Sequence, residues 1–124
     1  MTIGDRIQSA DWKKEKHVPT IECPDQVETG MPFLVNVAVG KEIPHPNTTE
    51  HHIRWIDVYF QPAGDKFVYQ VGHFDFGAHG EGTAYAHPAA TLLMQVNEPG
   101  TLIALSLCNI HGLWESSKEI ATSG

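Results

Sequence analysis

Long apolar runs are missing from this 124-residue chain; none approaches the ~20 residues of a membrane-spanning helix. Helical periodicity is scarce as well. Ile3 and Ile7 stand four apart, so a short helix over 2–9 is expected, but no later window sustains the pattern. The two cysteines, Cys23 and Cys108, are too few for a disulfide framework. Positive charge is short too: 8 Lys and Arg face 15 Asp and Glu, a net of −7. That argues against a nucleic-acid partner, because phosphate binding needs a basic face. The polar start Met1-Thr2-Ile3-Gly4-Asp5-Arg6 does not read as a signal peptide. One domain over 1–124, in a reduced, cytoplasmic setting and without a membrane partner, is therefore expected.

What is plentiful is turn-forming residues, 11 Gly and 8 Pro, and short alternating runs between them. Phe33, Val35, Val37 and Val39 share one face, as do Ile56, Val58 and Phe60, with Trp55, Asp57 and Tyr59 opposite. Over 67–76 the phase set by Phe67, Tyr69 and Val71 changes to Phe74 and Phe76 across Gly72, which predicts a β-bulge. Leu92, Met94 and Val96 alternate again, and 102–108 is apolar on both sides, a central strand covered twice. Turns at 44–47, 62–65, 77–82 and 97–100 separate these runs. The fold class expected is all-β, an immunoglobulin-like antiparallel β-sandwich of about seven strands, with the N-terminal loop 1–20 wrapping its outside.

The chain also carries 8 histidines, and their placement points to chemistry. Cys108-Asn109-Ile110-His111 sets a thiol and an imidazole three apart where a buried strand turns outward, so both can face one metal. That pair alone is weak, since a buried cysteine is commonly a small apolar residue. Prolines flank His45 on both sides, and His51 follows at the mouth of the strand starting near Ile53. His17 precedes Val18-Pro19, whose ring restrains the backbone before it. Three segments each bring a histidine to a loop–strand junction, and together they point to a metal site. His52, His73, His79 and His87 read as ordinary structural or surface histidines. Structural zinc favours more thiolates, and blue copper wants a Met soon after the last histidine, where Leu113-Trp114-Glu115 stands. Several imidazoles and one thiolate suit iron. Six of the eight cations lie in residues 1–54, so an anion is a reasonable ligand there.

Three motifs carry a resemblance over nearly the whole chain: Glu15-Lys16-His17-Val18-Pro19, the run from Gly40 to Arg54 containing His45-Pro46-Asn47-Thr48-Thr49-Glu50-His51-His52, and Cys108-Asn109-Ile110-His111-Gly112-Leu113-Trp114-Glu115. They resemble the superoxide reductases of the neelaredoxin type. The resemblance implies a mononuclear, non-haem iron centre with His17, His45, His51 and His111 as equatorial ligands and Cys108 as the axial thiolate. His111 would bind through Nδ1 and the other three through Nε2. Glu15 would be the sixth ligand of the oxidised state only, and Lys16 the cation beside the open position. The implied reaction is one-electron reduction of superoxide to hydrogen peroxide without oxygen release, with rubredoxin as electron donor, in a homo-oligomer that is frequently a tetramer. The second iron centre of desulfoferrodoxins needs four further cysteines; Cys23 is the only spare one, so that centre is not expected. The connection after Ala78-His79-Gly80-Glu81 looks shorter than in the family, which bears on subunit contacts. Lys13, Lys14 and Lys41 are expected to join Lys16 in a patch that steers the anion.

Overall fold

The structure is a computed structural model describing residues 1–124. Eight strands form two sheets: β1 (Pro19–Glu22), β2 (Gln26–Glu28), β3 (Phe33–Val39), β4 (Ile53–Pro62), β5 (Tyr69–Asp75), β6 (Ala89–Met94), β7 (Gly100–Cys108) and β8 (Gly112–Ser123). The smaller sheet runs β1-β3-β6 and the larger β2-β8-β7-β4-β5. The only helix is a 3-10 turn at Ile3–Arg6, inside the window that the Ile3/Ile7 spacing marked.

Alternation explains the layers. Phe33, Val35, Val37 and Val39 are buried and face Ile56, Val58 and Phe60 of β4 together with Leu102 and Ala104 of β7. Removing each such side chain from water contributes about 1.5–3 kcal/mol. As expected, β7 is central, with a sealed inner face and a half-buried outer one. The bulge is also present: Val58 pairs with Gly72 and Tyr59 with Gln70, leaving Val71 without a partner.

Several details differ from the sequence reading. β5 begins at Tyr69, because the Asp65 carboxylate accepts hydrogen bonds from the backbone N–H of Lys66 and Phe67 and prolongs the turn. β6 starts earlier than the Leu92–Val96 alternation and ends at Met94. The outer wrap ends before residue 20, since Pro19 and Thr20 already pair with Val39 and Ala38. β2 pairs with β8 in parallel, in a sheet whose other strand pairs are antiparallel. β8 was hidden by its polar run Ser116-Ser117-Lys118-Glu119; pairing with β7 from Gly112 to Ile120 holds it extended.

Candidate metal centre

The site forms where β7 leaves the sheet. Cys108, 1% exposed, ends β7, and its sulfur accepts a hydrogen bond from the His111 backbone N–H at 3.4 Å. His17 arrives from the other side. The strap before it is fastened to the edge of β8 by Gln8 N–H to Leu113 O (3.0 Å) and Glu115 N–H to Gln8 O (2.8 Å). Ser106 Oγ, buried on β7, then donates to the His17 carbonyl at 3.1 Å. The loop carrying His45 and His51 is folded by Gly40, whose φ of +83° suits glycine and where a Cβ would lie 2.7 Å from His45 N. A Thr48–His51 turn closes its far end, with His51 N–H donating to Thr48 Oγ1 at 3.1 Å. Asn109 ties this loop to the cysteine turn, accepting from His52 N–H at 2.9 Å and donating to Glu50 O at 3.0 Å.

These elements bring four imidazoles into a ring. Neighbouring centroids are 4.9 Å apart for His17–His45, 4.8 Å for His45–His51, 5.1 Å for His51–His111 and 4.8 Å for His17–His111. The His17–His51 diagonal is longer, 6.4 Å. Adjacent planes are steeply inclined, by 57° to 80°. The ligand atoms of His17, His45, His51 and Cys108 all lie within 4.8 Å of one another. His111 Nδ1 joins them 3.2 Å from His17 Nε2 and 3.8 Å from the Cys108 sulfur.

The inward nitrogens have little else to bind. His45 Nδ1 lies 2.7 Å from Pro46 O, which can only accept, so Nδ1 carries the proton and Nε2 is bare. The Nε2 atoms of His45 and His51 are both buried without a hydrogen-bond partner. Buried acceptors in that condition cost about 1–3 kcal/mol each, and two of them beside two further imidazoles and a thiol fit a metal ion. Burial pushes His45 down to about 4, with the charges of His17, His51 and Lys16 adding to it against the Pro46 carbonyl. Burial lowers His51 as well, with His111 and His17 contributing. Both imidazoles are thus neutral near pH 7 and ready to donate lone pairs.

Glu15 faces the outer edge of His17. Its Oε1 accepts from His17 Nδ1 at 2.6 Å and from His17 N–H at 2.9 Å. Burial acts to raise this carboxyl, but the His17 hydrogen bonds outweigh it and hold it below the usual range. A shallow hollow of about 340 Å³ opens here, lined by Lys14, Glu15, Lys16, His17, Ile43 and His111. A larger hollow, about 640 Å³, lies under the strap between Trp12 and Ile103 and has no histidine or cysteine in its wall.

A family model described as desulfoferrodoxin matches residues 9–117. The chain belongs to the desulfoferrodoxin family. Among similar members, a neelaredoxin from Megalodesulfovibrio gigas is 56% identical, covering 98% of each chain. A superoxide reductase from Pyrococcus furiosus is 53% identical, over 92% of this chain and 95% of that one. A Thermotoga maritima crystal structure superposes with a TM-score of 0.97 at 53% identity, covering 100% of this chain and 99% of that one. The reduced superoxide reductase (neelaredoxin) of Archaeoglobus fulgidus gives 0.85 at 49% identity, over 93% and 98%. The all-β sandwich of this desulfoferrodoxin-family chain is that of its relatives.

The four lysines expected to steer an anion are placed differently. Lys14 and Lys16 line the hollow, whereas Lys41 is paired with Glu22 and Lys13 lies over the Trp12 ring at 5.7 Å. Cys23 packs against the core edge, and burial raises its thiol. One neighbour of the centre escaped the sequence reading. Trp114 stacks on His17 at 4.8 Å and 13°, and its Nε1–H donates to His111 O at 3.2 Å. Its place three residues after His111, at the start of an unrecognised strand, was the available signal.

Proposed function

We propose that the chain is a superoxide reductase with one iron held by His17, His45, His51, His111 and Cys108. That it is an oxidoreductase acting on superoxide follows from its membership among superoxide reductases at 46–56% identity. The observation that carries the ligand assignment is the ring of imidazoles closing on one thiol, with the Nε2 atoms of His45 and His51 buried and unpartnered. His17, His45 and His51 would bind through Nε2 and His111 through Nδ1. Iron so held supplies the single electron by which superoxide, taking up two protons, becomes hydrogen peroxide.

The protein's own groups prepare that event. Lys16, beside the ring, draws the anion in; at physiological salt charges beyond about 8 Å are screened, so the net charge of −7 does not oppose it. The hollow is open, so water can bring protons to the bound anion. Cys108 is shielded from solvent while the His111 N–H keeps its sulfur oriented. Glu15, once released from His17, would serve as sixth ligand in the oxidised state, where a hard cation prefers oxygen. A small donor of the rubredoxin kind returns the electron, and the chain works in the cytoplasm as a homo-oligomer, a tetramer by its family habit.

The test is anaerobic purification, iron analysis and a visible spectrum on oxidation. One iron per chain and a blue thiolate-to-ferric band support the assignment; a band that survives Cys108→Ala removes the thiolate from it. Stoichiometric oxygen release during turnover would make the enzyme a dismutase instead. Superoxide consumption untouched by both Lys16→Ala and Glu15→Ala would favour a metal-binding sandwich without catalysis.

A further inference from the structure

Glu15 is held where it cannot ligate a metal in the ring. Its Oε1 takes both the Nδ1 and the backbone N–H of His17, at 2.6 and 2.9 Å. An ionised carboxylate only accepts, so the proton of His17 must sit on Nδ1. Nε2 is then bare, and it is this nitrogen that approaches His111 Nδ1 to 3.2 Å inside the ring. On one flat face His17 is covered by Trp114, stacked at 13°. A half-turn about the Cβ–Cγ bond would put Cδ2 in place of Nδ1 and Cε1 in place of Nε2, and it requires Glu15 to let go of Nδ1. His45 is fixed in the same sense by Pro46 O, a backbone group that cannot leave. His17 is fixed by a side chain that can.

We propose that Glu15 is a positioning residue for His17, fixing its tautomer and rotamer so that Nε2 faces the ring. This rests on the ligand assignment above. Metal-bound imidazoles commonly donate their second N–H to a carboxylate, and losing such a partner costs about 10–100-fold in metal affinity. While Oε1 holds Nδ1, the carboxylate sits on the edge of His17 away from Nε2, the nitrogen that faces the ring. Direct ligation by Glu15 therefore requires release of the His17 bond, so the two roles of this carboxylate alternate.

Glu15→Gln separates them. Its amide oxygen can still accept from His17, but it is a poor ligand for an oxidised metal ion. The experiment uses the full chain and three proteins: unsubstituted, Glu15→Gln and Glu15→Ala. Ferrous affinity is read anaerobically by chelator competition, and the His17 tautomer by nitrogen-15 spectra of the metal-free protein. The expected result is a ten-fold or greater loss of ferrous affinity in Glu15→Ala, with His17 spread over both tautomers. Glu15→Gln should stay within about three-fold of the unsubstituted protein and keep the Nδ1–H form. Equal affinity and an unchanged tautomer in Glu15→Ala overturn the proposal, as does a Glu15→Gln protein as impaired as Glu15→Ala. Failure of the unsubstituted protein to bind ferrous iron would instead strike the ligand assignment itself, so the two failures are distinct.

Discussion

His51 and His52 are adjacent in the chain and opposite in circumstance. His51 ends with a buried Nε2 that no protein group satisfies. His52 turns the other way, donates Nδ1–H to Thr48 O at 2.9 Å and stacks on His79 at 3.6 Å and 8°. His79 in turn bonds Asn47 Oδ1 at 2.8 Å, and Asn47 Nδ2 donates to Ala86 O at 3.1 Å. One pair therefore fastens the 44–52 loop to the 78–86 segment, while the ring on the other side is left unsatisfied. The lesson is that a metal site is marked less by histidine content than by histidines whose nitrogens have no other employment.

Exchanging the members of that pair gives the largest effects. His51→Ala should lose most of the iron while leaving the metal-free protein as stable as before, since it removes an orphan acceptor. His52→Ala should keep the iron stoichiometry but destabilise the fold by about 1–3 kcal/mol, the usual cost of an unmade buried hydrogen bond and lost packing. Iron per chain and metal-free urea midpoints decide; the reverse pattern would break the comparison. Next comes Lys16→Ala, expected to slow superoxide capture several-fold, more at low salt than high, with stability unchanged. Pulse radiolysis at two ionic strengths reads it, and a rate equal to the unsubstituted protein's would remove the steering role.

A smaller effect lies in pH. The folded His45 stays neutral to about 4, whereas the unfolded chain takes up that proton near the ordinary value of about 6.5. Its contribution to metal-free stability is thus present above 6.5 and lost as pH falls toward 4. His45→Gln should flatten the urea midpoint over that window, and an unchanged slope would contradict it. His73 behaves oppositely and weakly. Its hydrogen bond to Asp57, with a second to Asp75 at 3.1 Å, raises it. Its contribution is present below about 6.5 and fades as pH rises through the folded value. His73→Gln should cost a little stability at pH 6 and less at pH 9, leaving iron content alone.

Much of this was legible in the residues. Phe33 to Val39 and Ile56 to Phe60 show their buried faces by alternation, and the Gly72 phase slip announces the bulge. The clamp of prolines around His45 and the Cys108-to-His111 spacing mark loops that do converge. What was not legible depends on contacts between distant segments. β8 is polar and is made a strand by its neighbour. The Trp114 stack on His17 and the Lys41–Glu22 pair each join residues from different parts of the fold. The two hydrogen bonds from His17 to Glu15 are local, but only the rotamers reveal them.

X-ray absorption at the iron edge of the reduced protein addresses the central claim most directly. One sulfur and four imidazole nitrogens around a single iron, with the sulfur absent in Cys108→Ser, is the outcome the ring of bare nitrogens and its thiol predict. An iron shell of oxygen and nitrogen alone, unaltered by that substitution, would contradict it.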